Sequence, residues 1–279
     1  MSAFTASEVV TIVTPLGLRF RDAATGRVVG DSLDVRHTPA GGERTRTASV
    51  SPSGVWALHS LPGLRELEAG AGDDAYWAAV PALAREFEIA VDDRAGRYLP
   101  LRLQAQAPFR GLFEPTCGSP PSSPLSAGDD IPLFRAPWYQ GPPGYGIVRA
   151  ELREPSGAPA AWAVLEVRPH GAPAALGLAD DRGQVAVPVP YPGPSATAGS
   201  PPRGSQRPLA AERWALTVEC RYDRSCPPHL APDLCAALDQ AFAALDLESA
   251  TPELPFGRDL VLHSTGRSEL LVTAAASPL

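Results

Sequence analysis

The sequence predicts a mainly β protein made of two small β-sandwich units, followed by a short C-terminal helix and a β-hairpin. Three observations predict this fold class. Apolar and polar residues alternate over many short segments, small polar residues followed by glycine separate the segments, and the arrangement occurs twice along the chain. The length of 279 residues agrees, because roughly 150 residues per domain gives two domains with a core each.

The first unit is predicted over residues 1–112. The Thr25-Gly26 pair is expected to close its first hairpin. Its strands are expected at residues 18–22, 28–35 and 87–91, with a further strand within 51–64 between a turn and the Pro62-Gly63 pair. Its core is expected to contain Trp56, Leu58 and Leu61.

Residues 113–143 are dense in Pro, Ser and Gly and are predicted to be an extended linker without a core of its own. Trp138 and Tyr139 stand out in this segment because large aromatic side chains are seldom left in solvent. We expect both to dock, either on the protein's own domains or on a partner.

The second unit is predicted over residues 144–224, with a turn at Ser156-Gly157 and a last strand at 214–222. Residues 225–279 are predicted to form the helix and the hairpin. The helix is expected within 232–246, where Asp233 precedes apolar residues at helical spacing. These residues are Leu234, Leu238, Phe242 and Leu245. The hairpin arms are expected at 259–263 and 268–273.

The composition restricts the partners and the location. The formal net charge is -7, all 24 basic residues are arginines, and Lys and Asn are missing. An acidic chain argues against general binding to nucleic acid or anionic membrane, which needs clustered positive charge. We find neither a secretory signal pattern nor the 18 apolar residues of a membrane-spanning helix. Synthesis in the cytoplasm without membrane insertion is the resulting expectation.

The Gly30-Asp31-Ser32-Leu33 sequence matches the nucleophile block of the GDSL esterases. An esterase of that type also uses an Asn donor for the oxyanion, and the chain contains no Asn. Asp259 and His263 do not form the Asp-x-x-His block of that family. We therefore predict an ordinary strand at Ser32, with esterase activity as a remote alternative.

Cys220, Cys226, His229 and Cys235 cluster within 16 residues. Three interpretations are open: a tetrahedral zinc site, a disulfide from Cys220 to Cys226 or Cys235, or unlinked and largely buried thiols. The irregular spacing favours thiols over zinc.

The acidic pairs Asp92-Asp93 and Asp180-Asp181 recur at the same place in both units, before a glycine, which favours turns over calcium binding or acid–base catalysis. The histidines His37, His59 and His170 lack a Ser or Cys partner at an interpretable spacing. No catalytic residue, cofactor or metal ligand is therefore predicted, and we expect the protein not to be an enzyme.

Both units resemble the carboxypeptidase-regulatory, or transthyretin-like, β-sandwich. In the first unit the resemblance lies in the hairpin at 20–29, the Ser53-Gly54-Val55-Trp56 segment and the Leu61-Pro62-Gly63 turn. The second unit keeps the hairpin and the Asp-Arg-Gly strand but lacks the Leu-Pro-Gly turn.

More narrowly, residues 60–68, 96–100 and 160–167 are similar to accessory proteins encoded with contractile, phage-tail-like injection systems. This resemblance spans residues 15–275. It implies a structural component at one end of the tube and sheath, as a cap, cap adaptor or baseplate accessory. The implied partners are sheath, tube or other end-complex proteins and further copies in a symmetric homo-oligomer, within a particle that is released extracellularly. The alternative is a β-sandwich module that binds carbohydrate or a surface protein.

Overall fold

The computed structural model describes residues 13–70, 72–79, 84–117, 130–192 and 209–275. Within these ranges the chain is mainly β with several sheets, as the sequence predicts.

The first strand set contains eight strands in two sheets that share one apolar core. Its strands are β1 (Leu16–Asp22), β2 (Leu33–Pro39), β3 (Arg46–Thr47), β4 (Ser49–Val50), β5 (Val55–Leu58), β6 (Arg85–Asp93), β7 (Leu101–Ala107) and β8 (Ile131–Leu133). One sheet has the order β4-β5-β1-β8, and the other has the order β3-β2-β6-β7. A 3-10 helix at Arg65–Ala69 and helix α1 at Asp74–Ala78 lie between β5 and β6.

The second strand set forms one continuous sheet around its own core. Its strands are β9 (Tyr145–Arg153), β10 (Val164–Pro169), β11 (Ala175–Leu178), β12 (Gln184–Pro190), β13 (Arg213–Arg221), β14 (Phe242–Asp246), β15 (Glu253–Pro255), β16 (Leu260–Leu262) and β17 (Leu270–Thr273). A 3-10 helix at Leu209–Ala211 precedes β13, and helix α2 at Leu234–Leu238 follows it. The main path runs β11-β10-β13-β14-β17-β9-β12. Its end strands β11 and β12 contact each other, so the sheet curls back on itself.

Strand pairing follows the same order in both sets. In the first set, β1 pairs antiparallel with β5 on one side and parallel with β8 on the other. In the second set, β9 pairs antiparallel with β12 on one side and parallel with β16 and β17 on the other. In the facing layer of the first set, β2 pairs with β3 and β6. In the second set, β10 pairs in the same way with β11 and β13. The last neighbour is β7 in the first set and β14 with β15 in the second. The duplication seen in the sequence is therefore a duplication of topology.

Each predicted first hairpin is shorter than expected because its second arm leaves the sheet. The amide of Val29 donates to the carbonyl of Phe20, and the chain then crosses to the other sheet, where β2 begins. The second set does the same after Ala160. Both crossings contain a non-glycine residue at positive φ, Ser32 at 58° and Trp162 at 60°.

The acidic turns fall at different places in the two topologies. The Asp180 turn joins β11 to β12, and its counterpart in the first set is the Ser51 turn before β5. The two turns have the same bonds, because the side-chain oxygen of Ser51 or Asp180 accepts from the amide four residues later. Gly54 and Gly183 have φ of 79° and 80° and press against the crossing segment, where a Cβ would clash. Pairing the Asp93 turn with the Asp180 turn, as the sequence suggests, is therefore wrong in register.

The described parts of the predicted linker contribute to the first core, contrary to the expectation of an extended connector. The amide of Phe113 donates to the carbonyl of Gly17, and β8 continues the same parallel side of β1. Phe134 and Ala136 are buried in the same core. Apolar residues within this Pro-rich stretch thus add an edge strand to the first set, which the local composition does not indicate.

The tail differs from its prediction in two respects. Helix α2 stops at Leu238, and Phe242 and Leu245 belong to strand β14. The expected hairpin arms β16 and β17 do not pair with each other, since both run parallel to β9. Asp233 caps α2 as predicted, with its carboxylate accepting from the Ala236 amide.

An apolar interface joins the two strand sets. The core of the first set includes residues of the second, among them Trp162, Leu178, Leu234 and Leu238. The Arg102 amide on β7 donates to the carbonyl of Pro232 just before α2.

Candidate functional site

A buried acid sits at the end of the first strand in each set. Asp22 is 1% exposed, and its Oδ1 accepts from the amides of Ala24 and Thr25 at 2.9 and 3.0 Å. Its Oδ2 accepts from the Tyr98 hydroxyl at 2.9 Å and pairs with Arg135. Burial and the nearby Asp22 carboxylate raise the pKa of Tyr98, so this phenol stays protonated.

Glu154 has the same position in the second set. Its Oε1 accepts from the Tyr222 hydroxyl at 2.7 Å and from Arg224 Nε at 2.9 Å, and Ser156 donates to Oε2 at 3.3 Å. Burial opposes ionisation of this carboxyl, but the hydrogen bonds from Tyr222 and Arg224 prevail and lower its pKa. Each cluster consists of an acid, a tyrosine and an arginine. Its visible role is to hold a turn to a distant segment of the chain.

The segment that joins the two sets forms an aromatic surface. Trp138 is 66% exposed, although its Nε1 donates to the carbonyl of Gly96 at 3.0 Å. Tyr139 is half-buried and stacks against Arg135, with 4.5 Å between the guanidinium carbon and the ring centre. Of the two expected docked aromatics, Tyr139 lies on its own domain and Trp138 remains mostly in solvent.

Two cavities flank this segment and meet at Pro142. One, of about 310 Å³, is lined by charged groups including Asp31, Arg97 and Arg135. The other, of about 490 Å³, is lined by Tyr145, Tyr191, Phe256 and the Arg149–Asp259 ion pair, among others. The Tyr191 and Phe256 ring centres are 4.8 Å apart with planes tilted by 42°. These features are suited to contact with a polar ligand or another protein.

Ser32 occupies a crossing between sheets. The described element after it is strand β2, and its carbonyl accepts from the Arg94 amide at 2.8 Å. A nucleophile of the GDSL type would instead open onto a helix. The predicted strand at Ser32 is wrong by one residue, because the chain bends at Ser32 with a φ of 58° and β2 begins at Leu33.

Asp180 and Asp181 lie at the turn between β11 and β12, as predicted, whereas Asp92 and Asp93 are the last residues of strand β6 and only the residues after them form a turn. Asp93 accepts from the amides of Ala95 and Arg97. Burial opposes its ionisation, but the hydrogen bonds from Arg97 lower the pKa of this carboxyl. Burial raises the pKa of Asp180 despite its two amide donors, Arg182 and Gln184.

The prediction of unlinked thiols is confirmed for Cys220 and Cys226 and is wrong for Cys235. Cys235, at the start of α2, forms a disulfide with Cys117, which the sequence reasoning did not consider. The expected partners Cys220 and Cys226 are free thiols. Burial raises the pKa of Cys220 to about 12. Because Cys235 is oxidised, it cannot join Cys220, Cys226 and His229 in a zinc site, and no group of metal-ligating side chains gathers within the described ranges.

The strand edges of the two sets also differ. In β7 the backbone N–H and C=O groups of the even-numbered residues face away from β6, because the Arg102 amide donates to the carbonyl of Pro232. Among described residues, the backbone groups of Gln104 and Gln106 have no partner on that side. In β12 the even-numbered residues point away from β9, and two of them are Pro188 and Pro190, which have no N–H. Proline is a common protection of an edge, so β12 is blocked, whereas β7 is covered at its Arg102 end by the start of α2 and leaves Gln104 and Gln106 exposed.

No helix in the described part of the chain is long and apolar enough to cross a membrane. No protein family matches the chain, and no curated protein does either. Among solved structures, the C-terminal fragment of the pilus adhesin SpaC from Lactobacillus rhamnosus GG aligns at 9% identity with a TM-score of 0.22. The alignment covers 95% of this chain and 100% of the fragment, but similarity at this level does not establish a shared fold.

Proposed function

We propose that the protein is a structural, non-enzymatic subunit of a contractile, phage-tail-like injection particle. Its place is at one end of the tube and sheath, as a cap, cap adaptor or baseplate accessory. The observation that favours this function is the combination of a cross-linked two-part body with an exposed, proline-free stretch at Gln104 and Gln106 of the sheet-end strand β7. Strand pairing between neighbours is a common way to build symmetric assemblies.

A scaffold function requires that the two strand sets keep a constant relative position. The apolar interface around Trp162 and the Cys117–Cys235 disulfide both serve this requirement. The particle itself is inferred from the sequence similarity of residues 60–68, 96–100 and 160–167 to accessory proteins of such systems. The two transthyretin-like units belong to the same proposal, with the repeated strand order in support.

Deleting the tail is a poor test of assembly, although the sequence suggests it. Leu262, Leu270 and Val272 lie in the second core, so removal of residues 258–279 is expected to unfold the second set. Incorporation would then fail for a trivial reason.

A better test is co-expression of the tagged chain with sheath and tube proteins, followed by particle purification and electron microscopy. We expect the tag at one end of the particle, in a fixed number of copies. A tag that is absent from intact particles, or scattered along the sheath, contradicts the proposal.

The second candidate is a carbohydrate- or surface-protein-binding module, favoured by the exposed Trp138, two residues before Gln140 in the lining of the 490 Å³ cavity. The tilt between Tyr191 and Phe256 lacks the coplanar platform typical of sugar binding. Glycan arrays and cell-surface binding with wild type and Trp138→Ala separate the candidates. Specific binding that is lost in Trp138→Ala favours the module.

A further inference from the structure

A cavity of about 520 Å³ lies where the two strand sets meet. The first set supplies one lining residue, Arg102 on β7. The second set supplies the remaining lining residues, which fall within 223–233 and 236–241. A molecule bound in this cavity would therefore contact both sets.

The wall of this cavity is held in place from both sets. Arg102 Nε donates to the carbonyl of Ala231 at 2.9 Å, and the Arg102 amide donates to the carbonyl of Pro232 at 2.8 Å. The Trp162 indole donates to the carbonyl of Pro227 at 3.1 Å. These bonds fix the wall, so binding there would cost little additional ordering.

Gln240 provides an unsatisfied hydrogen-bond acceptor at this cavity. The residue lines the cavity and is 8% exposed, and its Nε2 donates to the Trp162 carbonyl at 3.3 Å. Its Oε1 is buried and accepts from no group in the described part of the chain. Buried polar atoms nearly always have a partner, and an unmet acceptor is destabilising. An N–H donor on a ligand would satisfy Gln240 Oε1.

The charged groups of the cavity determine the sign of the ligand. Three carboxylates line the cavity, those of Asp223, Asp233 and Asp239, against one guanidinium, that of Arg102. This guanidinium is already engaged, because its Nη1 lies 3.7 Å from a carboxylate oxygen of Glu88. The lining is therefore acidic and favours a cation.

Two of these carboxylates each keep one oxygen available. The Oδ1 of Asp223 accepts from the Ser225 amide, and the Oδ1 of Asp233 accepts from the Ala236 amide. Neither Oδ2 has a partner among the described residues. Burial raises the pKa of the Cys226 thiol and both carboxylates add to that shift, so both lie near this thiol. The available acceptors are thus gathered around one cavity.

We propose that this cavity binds an aliphatic cation, an ammonium or a guanidinium, through its N–H groups. The N–H groups donate to Gln240 Oε1 and to the available oxygens of Asp223 and Asp233, in charge-assisted hydrogen bonds. The aliphatic chain lies against apolar lining residues such as Leu230 and Pro232. Leu230 is 44% exposed, and this contact would cover it. The site goes beyond the scaffold function and does not depend on it.

The test is calorimetric titration of the purified chain with agmatine, which carries a guanidinium and an ammonium on a butyl chain. The control compound is butylurea, which keeps the chain and N–H groups but has no charge. Agmatine is expected to bind, and butylurea is expected not to. Absence of agmatine binding up to about 10 mM overturns the proposal, as does equal binding of the two compounds.

Charge variants locate the site. Asp223→Asn with Asp233→Asn removes both charges and keeps the helix cap, because Asn caps helices as well as Asp does. This variant is expected to weaken agmatine binding by about tenfold or more, through loss of hydrogen bonds to charged groups. Asp181→Asn changes an exposed acid outside the cavity and is expected to alter binding by less than about twofold. Equal effects of the two changes overturn the site.

Gln240→Met tests the buried acceptor separately. The variant keeps the length of the side chain and is expected to weaken agmatine binding by about tenfold. Unchanged affinity in the folded variant overturns the assignment of Oε1. If thermal melts show that Gln240→Met does not fold, the aspartate variants still decide the proposal.

Cys226 gives a local readout, because it is a free thiol in the lining of the cavity. Saturating agmatine is expected to slow the labelling of Cys226 by maleimide, and butylurea at the same concentration is expected not to. Unchanged labelling while agmatine binds would place agmatine elsewhere and overturn the site.

Free amines and the arginine side chains of proteins share this chemistry, and the peptide acetyl-Gly-Arg-Gly-amide separates the two sources. Binding of agmatine without the peptide supports a free small cation. Binding of both supports an arginine side chain of a partner. These experiments contain no particle components, so their failure leaves the particle experiment unaffected.

Discussion

The two strand sets share an order of strands but differ in how they are closed. The first has two separate sheets and a proline-free edge at β7 that is covered only at its Arg102 end, whereas the second joins its sheets through β14 and blocks β12 with prolines. The crossing residue differs as well. Ser32 is exposed, while Trp162 at the same point is buried in the interface between the sets. One topology thus supplies an end that closes the molecule and an end available for contacts.

The largest expected effect comes from the buried crossing residue. Trp162 is 4% exposed, and its Nε1 donates to the Pro227 carbonyl. Trp162→Ala leaves a large cavity at the interface and is expected to lower the free energy of unfolding by about 3–5 kcal/mol. Denaturant titration measures this change. The control is Trp138→Ala, which is expected to change it by less than about 0.5 kcal/mol. Equal effects of the two variants would contradict the interface.

The disulfide is expected to have the next largest effect. Cys117→Ser with Cys235→Ser is expected to cost about 2–5 kcal/mol, because the bond restricts the unfolded chain. Thiol counting gives a check without mutation. Maleimide should label Cys226 in the native protein, and Cys220 only after unfolding, since Cys220 is 1% exposed. Four reactive thiols in the unfolded, unreduced protein would show that the bond is absent.

The two buried acids offer a direct comparison between the sets. Tyr98→Phe and Tyr222→Phe each remove a donor to a buried carboxylate, and each is expected to cost about 1–3 kcal/mol. Asp22 keeps Arg135, whose side chain is 10% exposed, and Glu154 keeps Arg224, which is 62% exposed. We expect the larger loss in Tyr222→Phe, because the remaining partner is more solvated. Thermal melts of both variants rank the losses, and the reverse order would show that solvation of the arginine does not govern them.

The smallest effect is the pH dependence of His37 in the first set. Burial, together with Arg46, lowers the pKa of His37 in the folded protein. A lowered folded pKa means that stability is complete above the unfolded value of 6.5 and decreases as the pH falls toward the folded value. His37→Leu is expected to remove this decrease, and His170→Leu, at an exposed position, to leave it intact. Unfolding free energies between pH 7 and pH 5 measure it.

Local chemistry made several features predictable. The Asp93 and Asp180 turns, the Asp233 cap and the alternation of the long strands all arise from residues within a few positions of each other. The pairing partners of those strands were harder to predict from the sequence. The parallel addition of β16 and β17 to β9 depends on residues more than 100 positions away, and a local Ser-Thr-Gly turn suggests a hairpin instead.

Long separation along the chain also explains why the sequence did not reveal the sites. The acid and the tyrosine are 76 positions apart in the Asp22 cluster and 68 in the Glu154 cluster, and the disulfide joins residues 118 apart. A sign of the first was available, because an acid precedes each Gly turn.

The parallel last strand in each set determines when the protein can fold during synthesis. β1 gains its neighbour β8 from residues 131–133, so the first set can be complete while the ribosome is still making the second. β9 must wait for β16 and β17 at 260–273. Until β16 and β17 have been made, the apolar side of β9 stays uncovered next to the folded first set. Translation speed over the last third of the gene therefore determines how long the chain is vulnerable to chaperone capture or mispairing.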